Sequence, residues 1–150
     1  MAEGIIIHHS ATRDDATQSW EAIRRYHTKT RGWSDIGYHF GIEQIGDCFQ
    51  IMGGRPQHLP GAHTVGHNLC LGICLVGNFE QQTPHPESLA LLLRLVLGLL
   101  ITHNLTPNQV LVHGDLAKTS CPGRNFPRRE FMNKLKSAWG RIGGGQYGDD

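Results

Sequence analysis

No charge of one sign dominates these 150 residues: Lys and Arg number 14 against 13 Asp and Glu, a formal net charge of +1. Nucleic-acid recognition needs a clustered basic patch. The only local cluster, Arg124, Arg128, Arg129, Lys134 and Lys136, reads as the solvated face of a helix, so nucleic acid is not an expected partner. Long apolar runs are lacking as well. The longest, Leu89 to Ile101, is interrupted by Arg94 and Gly98 and falls short of the roughly 20 residues that span a bilayer, so no stable membrane association is expected. The cysteines Cys48, Cys70, Cys74 and Cys121 show neither the spacing of a disulfide framework nor a local CxxC pair. The first three lie in apolar, strand-like text, where a thiol behaves as a small hydrophobe, and read as reduced and structural. That fits synthesis in a reducing cytoplasm. The start, MAEGIII, carries Glu3 and no apolar h-region, so it does not read as a secretory signal. If the protein acts outside the cell, another agent must release it.

What the chain does have is histidine, ten in all, with His8 and His9 adjacent and His58, His63, His67 and His85 in succession. Its length suits one domain with a real hydrophobic core, expected to act as a monomer. GIIIHHS reads as a buried strand. In the following segment Trp20, Ile23 and His27 recur at helical spacing, with Thr17 as N-cap and Gly32 as stop. GYHFGIE and DCFQIMGG form a hairpin around QIGD. HLPGAHTVGHN is a loop, and LCLGICLVGNF, apolar without alternation, reads as a central strand. Pro86 to Asn104 reads as a helix buried on most of its surface. TPNQVLVH returns as a strand, and Phe131, Leu135 and Trp139 mark a final amphipathic helix. The expected fold is α/β, a single domain over residues 1–142 with a central mixed β-sheet and flanking helices, followed by a flexible Gly-rich tail, 143–150.

Two of these strands end in histidine, IIIHH at residue 8 and VLVH at residue 113, and Cys121 follows within VHGDLAKTSCPG. Catalytic zinc keeps three nitrogen or sulfur ligands and one open position. His8, His113 and Cys121 meet that requirement, although by spacing alone they also read as unconnected polar residues at strand ends. Period-2 alternation sends Tyr38 and Phe40 to one face and His39 to the other, where it is either a hydrogen-bonded core residue or part of the site. Binding residues concentrate on loops carried by a rigid sheet, which makes Arg55, His63 and Asn68 the candidate substrate contacts. His67 reads as a solvated loop residue, and Trp20 and Trp33 as core.

Taken together, IHHSAT, GWSDIGYHFGI, GGRP, GAHTVGHN, LGICLVGNF and HGDLAKTSCPG, in this order from about Ile5 to Trp139, resemble the zinc-dependent N-acetylmuramoyl-L-alanine amidases. That family includes phage lysozyme-type amidases and the peptidoglycan recognition proteins. The resemblance implies zinc as cofactor, peptidoglycan or muropeptide as substrate, and cleavage of the amide between N-acetylmuramic acid and L-alanine. It places the metal ligands on His8, His113 and Cys121, with His9 outside the ligand set, and the active-site tyrosine on Tyr38. Where some relatives carry a lysine, this chain has Thr119, with Lys118 one residue further away, so either could support the oxyanion. Gly114 stands where an arginine is frequent, which leaves Asp115 without that neighbour. Asp115 is still expected to brace the loop, for example by orienting a histidine ligand. Relatives that recycle wall fragments carry an acid where this chain has Cys74, which favours a phage or prophage endolysin. The alternatives are a cytoplasmic muropeptide-recycling amidase and a non-catalytic muramyl-peptide recognition module.

Overall fold

Three consecutive isoleucines favour extended backbone, and with no polar partner of their own they are driven inside. In a computed structural model, which describes residues 1–12 and 19–143, they form β1 (Ile5–His9), buried at every position. The other strands are β2 (Phe40–Ile45), β3 (Cys48–Gly53), β4 (Leu71–Leu75) and β5 (Val110–Val112). They make one sheet in the order β3-β2-β4-β1-β5. β1 runs parallel to β4 and β5, and β2 parallel to β4, while β2 and β3 form the antiparallel hairpin. β4 is buried throughout, as its unbroken apolar text demands of a central strand.

Alternation then sorts the side chains. Ile5, Ile7, Leu71, Ile73, Leu75 and Val112 join the main core beneath α2 (Pro86–His103) and α3 (Arg128–Arg141). On the opposite face Trp20 of α1 (Ser19–Arg25) packs with Ile36, Cys74 and Val76. A π-helical turn, Tyr26–Thr30, continues α1, and Gly32 at φ +70° ends the segment. Thr17 lies outside the described residues.

Gly41 is needed here because a Cβ in its place would overlap the Trp20 ring, whose Nε1 donates to the Gly53 carbonyl at 3.0 Å. Gly41→Ala is expected to destabilise the fold by about 1–3 kcal/mol, the usual cost of overpacking. Thermal unfolding of the two proteins checks this, and an unchanged Tm would contradict the packing described.

Three readings are corrected, and one left open is decided. α2 is not buried all round: Ser88, Leu92, Val96, Leu99 and Leu100 form a buried stripe while Ile101 is exposed, because the helix lies on a sheet that covers one side only. By length and composition it could cross a bilayer, and it packs instead on the sheet. Cys48 is exposed, since it opens the edge strand β3, whereas Cys70 and Cys74 are buried thiols. Tyr38 and Phe40 part company: Phe40 joins the main core and Tyr38 the Trp20 side, because regular pleating begins only at Phe40. His39 is the hydrogen-bonded core residue. Its Nδ1 accepts from Gly72 N at 3.0 Å and its Nε2 donates to the Leu59 carbonyl at 2.9 Å.

Candidate metal centre

The parallel register of β1 and β5 pairs Ile7 with Val112. One residue further along each chain, His8 and His113 turn to the face opposite α2 and α3, with ring centroids 4.6 Å apart. The chain leaving His113 turns through His113–Asp115 and closes on itself where Gly114 N donates to Cys121 O at 2.9 Å. This brings the Cys121 thiol back to the end of β1, where Sγ accepts from His9 N at 3.4 Å and lies 3.7 Å from His8 Nδ1. One donor atom each from His8, His113 and Cys121 falls within 4.8 Å of the others. In a tetrahedral zinc site a sulfur and a nitrogen ligand sit about 3.6 Å apart, given Zn–S near 2.3 Å and Zn–N near 2.0 Å. The donor set and its spacing therefore fit a metal ion.

Burial sets the protonation states. His8 is held well below the ordinary imidazole range, first by burial and then by the neighbouring His63, His113 and His9. Burial lowers His113 too. Both rings thus present neutral lone pairs near pH 7. Burial also pushes the Cys121 thiol up to about 11, against the opposing hydrogen bond from His9 N. Tyr38 lies beside His8, with ring centroids 5.2 Å apart. Burial, with Cys74 and Cys121 beside it, holds its phenol well above the usual tyrosine range. It is a proton-bearing donor, not a base.

The remaining expected residues brace the loops around this centre. Thr119 Oγ1 accepts from Cys121 N at 3.2 Å, which leaves its own proton free to donate, while Lys118 is exposed. Asp115 takes Val112 N at 3.1 Å and pairs with Arg128, so it holds the loop through the main chain and a distant arginine and touches no imidazole. The Arg55 guanidinium donates to the carbonyls of Ile36 at 2.8 Å and Pro60 at 3.0 Å. Asn68 Oδ1 accepts from His63 N at 2.9 Å and Thr64 N at 3.0 Å. The His63 ring reaches His8 itself, with Nδ1 3.1 Å from His8 Nε2. His9 is buried, and its Nδ1 accepts from Phe79 N at 3.1 Å on the α2 side of the sheet. A cavity of about 420 Å³ on that side, lined by Ile42, Phe49, Phe79 and His85, contains none of the three converging donors.

Two residues near the centre escaped the sequence reading. Thr64 is buried with Oγ1 3.4 Å from His8 Nε2. His27 wedges between Trp33 and Tyr38, with ring centroids at 4.7 and 5.9 Å, and accepts from Gly37 N at 3.1 Å. A titratable ring on the apolar stripe of a helix was the available signal for His27. Nothing in the sequence marked Thr64.

Residues 2–124 match the family model described as N-acetylmuramoyl-L-alanine amidase. The chain is 32% identical over 137 residues to the endolysin of Klebsiella phage KP32, covering 87% of each. It is also 32% identical over 126 residues to human peptidoglycan recognition protein 3, covering 80% of this chain but only 36% of that protein's length. Among solved structures, the N-acetylmuramoyl-L-alanine amidase LysC from Clostridium intestinale superposes with a TM-score of 0.77 at 36% identity, covering 89% of this chain and 85% of that one.

Proposed function

The chain belongs to the N-acetylmuramoyl-L-alanine amidase family, and from that premise we propose that it hydrolyses the amide joining N-acetylmuramic acid to L-alanine in peptidoglycan, with zinc held by His8, His113 and Cys121. The observation that carries this reading is the convergence of two imidazoles and one thiol at the ends of neighbouring strands, beside Tyr38. A zinc ion bound there would supply a Lewis acid that polarises the amide carbonyl and lowers the pKa of water towards about 7.

The protein's own groups do the rest. His8 and His113, kept neutral by burial, offer lone pairs without first losing protons. Tyr38 keeps its phenolic proton and donates it as a hydrogen bond to the carbonyl oxygen as that atom gains charge. Thr119 steadies the same oxygen with its remaining proton, while its oxygen fixes the Cys121 main chain. Arg55, His63 and Asn68 hold the loop walls against which the muramyl peptide lies. Among soluble wall hydrolases the endolysin reading is favoured by the extent shared with the phage relative, 87% of both chains. The protein then meets intact wall only after release from the cytoplasm. Turnover of purified sacculi should match or exceed that of soluble muropeptides. Hydrolysis confined to soluble fragments would assign it to wall recycling, and binding without hydrolysis to recognition.

Metal uptake should also depend on pH in a defined direction. The Cys121 thiol, held up to about 11, is protonated at neutrality and must lose its proton to the solvent when it becomes a ligand. The two lowered histidines have none to lose. Log zinc affinity is therefore expected to rise by about one unit per pH unit between about pH 6.5 and 8.5, one proton released per metal. Competition with a chelator of known pH dependence measures this. A flat profile would mean that the thiol is not a ligand.

A further inference from the structure

We propose that His63 is a positioning residue for His8, fixing the tautomer and the direction of the imidazole that faces the metal; this deepens, and rests on, the zinc reading above. The His63 ring lies in a slot cut by glycines. A Cβ at either Gly61 or Gly72 would collide with its Cδ2, so the ring can occupy this place only because both positions lack a side chain. Asn68 Oδ1 ties down the main chain on both sides of the ring by taking the N–H groups of His63 and Thr64.

Within the slot the hydrogen bonds allow one consistent assignment of protons. His63 Nε2 lies 3.0 Å from the Cys70 carbonyl oxygen, which can only accept, so Nε2 carries the proton and Nδ1 the lone pair. That lone pair points at His8 Nε2, 3.1 Å away. Two lone pairs cannot face each other at that distance, so His8 Nε2 carries a proton. It donates either to His63 Nδ1 directly or to Thr64 Oγ1, which lies 3.4 Å from His8 Nε2 and 3.1 Å from His63 Nδ1. Both routes leave the same result. The lone pair of His8 sits on Nδ1, the atom 3.7 Å from the Cys121 sulfur. A relay of acceptors and donors, Cys70 carbonyl to His63 to His8, thus aims one nitrogen at the metal position before any metal arrives. Partners of this kind behind a metal-bound histidine are worth about 10- to 100-fold in metal affinity.

Two amide substitutions separate this role from simple packing, because asparagine carries a polar atom where the His63 Nδ1 stands and glutamine carries one where Nε2 stands. His63→Asn keeps an acceptor for His8 and loses the bond to Cys70. His63→Gln keeps the bond to Cys70 and loses the acceptor. Zinc dissociation constants are measured by chelator competition at fixed pH, cobalt(II) absorption reports the ligand geometry, and thermal unfolding of the metal-free forms reports stability. The expected result is near-unaltered zinc affinity for His63→Asn, with a 10- to 100-fold loss and a changed cobalt spectrum for His63→Gln. Equal affinity in all three proteins, or a loss that follows the metal-free Tm and ignores which nitrogen is mimicked, would overturn the role of His63 and leave the zinc site standing. Absence of zinc binding by the unaltered protein would overturn both.

Discussion

Replacing Cys121 with serine is expected to remove zinc and abolish hydrolysis while the fold remains. The sulfur is the one anionic ligand available to the metal, and a serine hydroxyl would have to be deprotonated at far greater cost to replace it. Without the Lewis acid, the pKa of water near the scissile carbonyl returns from about 7 to about 15.7, and turnover should fall below detection. The fold should survive because Cys121 belongs to neither hydrophobic cluster; its structural contribution is the acceptor for His9 N. Loss of that weak bond costs about 1 kcal/mol or less. Metal content by atomic absorption and unfolding of the metal-free proteins would check both halves. Full zinc content in Cys121→Ser would show that the third ligand lies elsewhere.

Tyr38→Phe should have the next largest effect, lowering kcat by about 10²–10³, the cost of losing one donor to a developing oxyanion, with zinc content unchanged. The phenyl ring preserves packing against Trp20 and His8, so only the hydroxyl is lost. Thr119→Ala should cost less in kcat than Tyr38→Phe, and Lys118→Ala less again, since both residues are exposed but only Thr119 is tied to the ligand loop, through Cys121 N. Should Lys118→Ala prove more damaging than Thr119→Ala, the lysine rather than the threonine supports the oxygen.

The legibility of this molecule in its sequence follows from how local each signal is. That two strands end in histidine could be read directly. Parallel pairing then makes the two rings neighbours, because Ile7 and Val112 are in register and each histidine is the next residue. The succession of strands along the chain and the hairpin were legible through apolar runs and turn residues, whereas their order in the sheet was not. The side of the sheet taken by Tyr38 was not, since alternation holds only inside a strand and β2 starts two residues later. Nor could composition show that α2 meets its sheet along one stripe only. The partners of Asp115 and His63 were hidden because Arg128 and His8 reach them through tertiary folding. Spacing alone left open whether the strand-end histidines come together and whether His39 is satisfied in the core, as it is, because both depend on contacts made only in the folded chain.

The central claim, a zinc amidase built on His8, His113 and Cys121, is tested most directly by reconstitution. Metal-free protein is loaded with increasing zinc and incubated with peptidoglycan, and the products are identified by mass spectrometry. Stem peptides with a free L-alanine amino group should appear in proportion to zinc and level off at one equivalent per chain. Hydrolysis by the metal-free protein, or products cut within the glycan and still carrying the lactyl amide, would contradict the account.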